Sequence, residues 1–373
     1  MVNRAYKVKL YPNLAQEKVL QATLDASRFV FNYYLNERKN HYLENKATLT
    51  YSVMAKDLTV KRKELPELSE VQAEPLQQSL RRLDKAYNSF FRKISKFPRF
   101  KSRFDNRQSF QKHQDWRLKG NKIKIQGDLL IKFRGFIDEK AELGTLVIIK
   151  ENGTWYASIT AKVEETYPQR YSKPIGIDVG LKDLAILSTG KKYENIKPQK
   201  NLQAKLSKAQ RDLARKTKGS KRQGQSKLVV SRIYEKIRNQ RKDYVHKVSN
   251  DIVSKNPSLI GVEDLNVKGM MGNRKVARAF GDASVGELLR QLEYKQKWNG
   301  GEFVKIGRFF PSSKTCNECN FINASLTLAE REWVCPQCKA VLDRDINASR
   351  VILAQSLAYS ERGGSDRVSA RKE

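Results

Sequence analysis

The four cysteines of the chain fall between residues 316 and 338 in two pairs, Cys316-Asn-Glu-Cys319 and Cys335-Pro-Gln-Cys338, with 15 residues between them. Two intervening residues let both thiolates of a pair grip one edge of a tetrahedral ion, and two such pairs complete the tetrahedron. A redox dithiol would need only one pair. The spacing and the count therefore point to one Zn2+ ion held by Cys316, Cys319, Cys335 and Cys338. Four thiolates leave no open position for water, so this zinc is structural and a catalyst has to be sought elsewhere.

Most of the 40 Asp and Glu residues must be surface charges. Asp178 and Glu263 differ, because each ends a short apolar run, Ile175-Gly-Ile and Leu259-Ile-Gly-Val, of the kind that forms a central strand. An acid there is costly to bury unless it is paired or bound to a metal. Asp264 competes with Glu263, but adjacent side chains on a strand face opposite ways and Glu263 directly follows the apolar run. A third acid comes from "LDRDINASR", where Asp343 and Asp345 precede Ala348, Val351, Ala354 and Ala358, a run with helical spacing. Position alone does not choose between these two. Two strand-end carboxylates and one at a helix start could hold two Mg2+ ions, hard cations that favour oxygen ligands. Such ions, about 3.5 to 4 Å apart, activate a water and stabilise the leaving oxygen of a phosphodiester. His41, His113 and His246 are scattered, which disfavours a histidine-metal nuclease. No Gly-rich loop ending in Lys-Ser/Thr appears, which disfavours an NTPase.

The elements that must position these residues can be read in order. "RAYKVKLYP" alternates as a half-buried strand stopped by Pro12, and Asn13 with Gln16 reads as a capping box for a helix carrying Leu20, Leu24, Phe31 and Leu35. A shorter helix follows, with Ser52 as its expected cap. After Pro75, the residues Leu76, Leu80, Leu83, Tyr87, Phe90 and Ile94 form a heptad-like stripe. From about residue 97 the pattern turns to strands, with Asn152-Gly153 as a hairpin signal; together with the first strand they could close a small β-barrel around the helical insert. Beyond Asp178, Gly180 permits a tight turn and "DLAILS" supplies a return strand, the hairpin start of an RNase H-like fold. Residues 200–242 hold fifteen Lys or Arg and two acids, and read as a basic helical hairpin in which Lys205, Arg211, Lys221 and Arg222 are candidate phosphate contacts.

The formal net charge of +33 far exceeds what solubility needs, and points to RNA or DNA as partner. There is no 18-residue apolar run and no charged-then-apolar leader, so no membrane partner is expected and the location expected is cytoplasmic, associated with the nucleoid. At 373 residues the chain has room for two or three domains. Four clustered cysteines do not make a secreted disulfide framework.

Taken together, "RAYKVKLYP", "GIDVGLKDLAI", "GVEDLNVKGM", "GELLRQLEYK", "FPSSKTCNEC" and "CPQC" followed by "LDRDINAS" resemble, in order and over almost the whole length, the TnpB family of transposon-encoded, RNA-guided DNA nucleases, relatives of the compact type V CRISPR effectors. The resemblance implies an α/β multidomain chain whose RuvC-like nuclease domain spans 171–310 and 341–358, with a zinc-ribbon, target-nucleic-acid-binding insert at 311–340. It implies a wedge-like β-barrel from 1–10 and 105–170, and an α-helical recognition lobe at 11–104. The tail 359–373 is expected to be disordered. The family's three acids match Asp178, Glu263 and Asp345, which resolves the third position in favour of 345. The implied activity is Mg2+-dependent double-strand cleavage of target DNA beside a short adjacent motif, directed by a guide RNA from the transposon end, with one protein chain per RNA. Tyr51 and Gln77 are candidates for reading the motif. Two alternatives remain at this stage: a nuclease-inactive, RNA-guided DNA-binding repressor, and a structural RNA-binding zinc-ribbon protein.

Overall fold

The computed structural model describes residues 2–127, 129–138, 140–164, 167–274, 276–327 and 330–361. Contacts divide the chain into two compact units, Met1–Glu164 and Glu165–Glu373.

In the first unit, β1 (Val2–Tyr11) precedes four helices, α1 (Leu14–Asn45), α2 (Tyr51–Glu64), α3 (Pro66–Ser69) and α4 (Ala73–Phe91). Six strands follow: β2 (Arg107–Lys112), β3 (Arg117–Lys119), β4 (Lys122–Gln126), β5 (Leu129–Arg134), β6 (Glu142–Glu151) and β7 (Thr154–Val163). The expected capping box forms, Asn13 Oδ1 accepting from Gln16 N–H at 2.8 Å and Gln16 Oε1 accepting from Asn13 N–H at 3.0 Å. The cap of α2 is the Thr50 side chain and not Ser52, since the helix starts two residues earlier than expected. Asn152 and Gly153, with φ of 49° and 81°, make the two-residue turn between β6 and β7, whose twist matches the flanking strands.

The seven strands pair in the order β2-β6-β7-β1-β5-β4-β3. This is a half-barrel with β2 and β3 as its edges, where a closed barrel was expected. The β2 edge is covered by α4: the Arg82 guanidinium donates to the Ser109 backbone carbonyl at 3.0 Å, an acceptor of the strand edge, and to the Gln111 side chain Oε1 at 2.9 Å. One core lies inside the half-barrel, around Val8, Leu24, Ile123, Ile131, Leu146 and Ile159, and another lies among the helices, around Val30, Tyr34, Leu58, Leu76, Leu80 and Leu83. The apolar stripe of α4 ends sooner than expected, because the helix stops at Phe91 and leaves Ile94 exposed.

The second unit begins with β8 (Ile175–Asp178), β9 (Asp183–Leu187) and β10 (Lys192–Glu194), then α5 (Pro198–Ala214) and α6 (Lys221–Val253). After β11 (Leu259–Glu263) come α7 (Val267–Gly272), α8 (Ala277–Ala283), α9 (Val285–Trp298) and β12 (Glu302–Ile306), and finally β13 (Glu332–Val334), β14 (Val341–Asp343) and α10 (Arg344–Glu361). A five-stranded sheet runs β10-β9-β8-β11-β12, with β8, β11 and β12 parallel and β9 antiparallel to β8. Ile175, Ile177, Ile260 and Val262 face α6 and α9, meeting Val245, Val248, Ile252, Leu288 and Leu292 in the largest core of this unit. The alternate residues turn to α10 on the other face. Residues 359–361, expected to belong to a disordered tail, are the last residues of α10; 362–373 lie outside the described residues. Among the described residues no helix is long and apolar enough to cross a membrane.

Candidate active site and metal centre

Two glycines determine how α10 lies on the sheet. Gly176 of β8 and Gly261 of β11 are partners in register, so they sit side by side with no side chain between strand and helix. A Cβ on Gly176 would come within 2.1 Å of Ser349 O and 2.7 Å of Leu353 N, and one on Gly261 within 2.1 Å of Ser356 Oγ. The helix backbone can approach this closely only over glycine. Two residues further along each strand, on the same face, stand Asp178 and Glu263, and the helix seated there carries Asp345 in its first turn.

The three acids feel one another. Burial pushes the Asp178 carboxyl up to about 7, and the charges of Glu263 and Asp345 push the same way, against Arg344 and the Val179 N–H. The competing acids are engaged elsewhere. Asp264 accepts from the Arg308 guanidinium at 2.7 Å. Asp343 caps α10, its Oδ1 accepting from the N–H groups of Asp345 and Ile346 at 3.0 Å each, while its Oδ2 accepts from Lys192 Nζ at 2.7 Å. Burial alone would raise the Asp343 carboxyl, but Lys192 and the helix N–H groups hold it below the usual range.

Each of the two other acids is held from the cysteine-bearing segment. Ser312 donates its hydroxyl to Glu263 Oε1. Arg331 Nη1 donates to Asp345 Oδ2 at 2.8 Å, and the buried Arg344 donates to Oδ1 at 3.1 Å. Three mutually repelling carboxylates, one of them costly to ionise, suit a hard cation, which would relieve both penalties.

The four cysteine sulfurs lie within 4.8 Å of one another, with Cys316 and Cys338 3.7 Å apart and Cys319 and Cys335 3.5 Å apart. Ligands about 2.3 Å from a tetrahedral ion stand about 3.8 Å from each other, so the cluster fits zinc. Among the described residues it is the one group of His, Cys, Asp or Glu ligand atoms gathered this tightly. Both pairs sit on the same kind of turn: Asn320 and Lys339, each following a second cysteine, have φ of 61°. In each turn the N–H of that residue returns to the carbonyl of the first cysteine, at 2.9 and 3.0 Å. Asn347, buried two residues after Asp345, binds this centre to α10: its Nδ2 donates to Thr315 O at 2.6 Å and its Oδ1 accepts from Asn317 N–H at 2.9 Å.

In the basic hairpin, Leu206, Ile233 and Ile237 form a small core between α5 and α6, and Lys205, Arg211, Lys221 and Arg222 are all exposed. In the first unit, the half-buried Tyr51 lies under the Arg81 guanidinium, 5.0 Å from ring centroid to Cζ, in a cavity of about 610 Å³ with Asp84, Lys85 and Asn88. Gln77 is exposed on α4 and does not line that cavity.

Reading by motif missed Gly176, Gly261, Ser312, Arg331, Arg344 and Asn347. A signal for the glycines was present: Ile-Gly-Ile-Asp and Ile-Gly-Val-Glu share one Gly-x-acid spacing.

Comparison with known proteins accords with this layout. Residues 158–274 match the OrfB family of IS605 elements, described as "Probable transposase", and 286–352 match the "Cas12f1-like, TNB domain". Residues 1–47 match a "Helix-turn-helix domain" of the same family, although here they fold around β1 and the single long α1. A protein of Streptomyces pristinaespiralis named "Putative RNA-guided DNA endonuclease" is 39% identical over 97% of this chain and 91% of its own. The chain belongs to the TnpB family. A second TnpB-like relative, InsQ of Escherichia coli K12, carries the same descriptive name and is 33% identical over 94% of this chain and 92% of its own. In fold, the chain is similar to the protein in a Cas12f1-sgRNA-target DNA complex, with a TM-score of 0.56 at 12% identity, covering 94% of this chain and 98% of that one.

Proposed function

We propose that the protein is an RNA-guided, Mg2+-dependent DNA endonuclease that makes double-strand breaks in target DNA beside a short adjacent motif, in association with a transposon. The observation that carries this reading is that Asp178 and Glu263 end neighbouring parallel strands on the face where α10 seats Asp345, and that the charges of Glu263 and Asp345 both act on Asp178. The names of the full-length relatives support the same reading.

Asp178, Glu263 and Asp345 would hold two Mg2+ ions, which when bound supply water activation and charge stabilisation for in-line displacement at phosphorus. The chain's own part is positioning. Ser312 orients Glu263, Arg331 and Arg344 orient Asp345, and the glycine seat sets the distance from α10 to both strand ends. Cys316, Cys319, Cys335 and Cys338 would hold one Zn2+ that braces the segment carrying Ser312 and Arg331. Lys205, Arg211, Lys221 and Arg222 would take phosphates, which position a strand without reading it. Sequence would be read by pairing with a guide RNA from the transposon end, bound by one copy of the chain. The half-barrel is read as the wedge domain, the helices of 11–104 as the recognition lobe, 171–310 with 341–358 as the nuclease domain, and 311–340 as its zinc-bearing insert. Tyr51 and Gln77 are retained as motif-reading candidates.

The test is to sequence the copurified RNA, replace its guide segment and map the cuts. The cut should move to a newly matched site when Mg2+ is present and stop with a chelator. A cut that stays in place after the replacement overturns RNA guidance.

A further inference from the structure

Residues 91–104, "FRKISKFPRFKSRF", lie between the helices and the sheet of the first unit and belong to neither beyond Phe91. Scattered exposed apolar residues are ordinary. Here, however, four phenylalanines are exposed within fourteen residues: Phe91 at 63%, Phe97 at 43%, Phe100 at 58% and Phe104 at 79%. Between them stand Arg92, Lys93, Lys96, Arg99, Lys101 and Arg103, with no acid.

The segment is held, not loose. Asn32 clamps its middle, Oδ1 accepting from Lys101 N–H at 2.8 Å and Nδ2 donating to Lys101 O at 2.9 Å. Lys101 turns inward, its Nζ 3.6 Å from the Phe31 ring centroid. Ser102 and Asp105 close a turn, Asp105 Oδ2 accepting from Ser102 N–H at 3.1 Å and Ser102 Oγ from Phe104 N–H at 3.1 Å, and Phe104 stands out from it. The Arg103 guanidinium lies 5.0 Å from the Phe104 ring centroid. Phe91 and Phe97 pack with Phe90 and Tyr87 at centroid distances of 5.3 to 6.2 Å, which fixes their orientation.

We propose that residues 91–104 form a stacking platform for an unpaired polynucleotide strand, in which exposed phenylalanines take bases and the interleaved arginines and lysines, apart from the inward-turned Lys101, take phosphates. A protein partner fits less well: phenylalanine and arginine are common at protein interfaces too, but lysine is depleted there and charge is depleted at their cores. A duplex fits less well too, because its bases are already stacked on one another and cannot offer their faces. The proposal rests on the reading of the protein as a nucleic-acid-guided nuclease and deepens it by assigning a second surface, distinct from the basic hairpin. The same chemistry serves guide RNA or a displaced DNA strand.

Ultraviolet crosslinking of the full chain, with its copurified RNA and an added target duplex, should yield nucleotide adducts on Phe100 or Phe104. A ribose or a deoxyribose adduct identifies the source. In parallel, binding of a labelled uridine homopolymer should weaken about 5- to 150-fold for each stacked base lost in Phe100→Leu and Phe104→Leu. The slope of affinity against salt should stay constant, because no charge is removed. Arg99→Gln and Arg103→Gln should instead lower that slope, by about 0.7 per phosphate contact. Adducts confined to other segments, or leucine variants that bind as the parent does, overturn the platform. The homopolymer needs neither guide nor cleavage, so failure of guided cutting would remove the functional reading and still leave this measurement to decide.

Discussion

Gly176→Ala tests the seat directly. The added methyl would lie 2.1 Å from Ser349 O and 2.7 Å from Leu353 N, both backbone atoms of α10 that no rotamer change can move. Ordinary contact begins near 3.4 Å, so helix and strand must part by about 1.3 Å. Overpacking of this kind costs about 1 to 3 kcal/mol of stability. Because α10 carries Asp345 while β8 carries Asp178, the same separation is inserted between two proposed metal ligands. A misplacement of about 1 Å can cost on the order of 100-fold in rate, so guided cleavage should fall by about that factor, well beyond what partial unfolding would take. Urea denaturation gives the first quantity and timed plasmid cleavage the second, both on the RNA-loaded protein. Gly224→Ala is the control: its added Cβ meets open space within α6, so it should stabilise by up to about 1 kcal/mol and leave cleavage alone. Parent-like cleavage by Gly176→Ala would refute the argument that the glycine seat sets the site.

Asp345→Ala should abolish cleavage while guided DNA binding persists, whereas Asp343→Ala should cost about 0.5 to 2 kcal/mol as a lost helix cap and retain more activity; the reverse ranking would misplace the third acid. Cys335→Ser should release zinc in metal analysis and reduce cleavage as well, through Asn347, and Asn347→Leu should reduce cleavage with zinc retained; a parent-like rate in both breaks that link. Lys295 is buried against Ser249 and the His246 carbonyl, and burial lowers its ammonium to about 8. Above that value the unfolded chain binds the extra proton, so this group adds stability as pH rises toward the ordinary lysine range and nothing further below pH 8. Lys295→Met should flatten the rise in urea midpoint between about pH 8 and 10, and an unchanged slope would show that another group carries it.

Local signals carried much of the outcome. The capping box at Asn13, the turn at Asn152-Gly153 and the apolar runs before Asp178 and Glu263 depend on neighbours within a few residues, and each formed as expected. The half-barrel was less legible, because Arg82 satisfies the β2 edge from 27 residues away and no local pattern announces it. Asp343 and Asp345 could not be separated by position, since both lie where a helix begins; the family resemblance favoured 345, and the capping geometry shows Asp343 bound to the helix N–H groups. A glycine inside a strand marks a bulge or a close approach, and the choice between them depends on a helix that starts more than 80 residues later.

The order in which the site is assembled follows from where its parts lie along the chain. A ribosome delivers Asp178 first and Glu263 later, and α10 comes after both and after the cysteines. A nascent chain interrupted before α10 would carry two of the three carboxylates above a bare strip of strand backbone, with nothing seated on the glycines. Such a fragment could hold the basic hairpin and a bound strand, and still be unable to cut it. On the proposed ligand set, a chain would become able to cut only once its synthesis had passed residue 345.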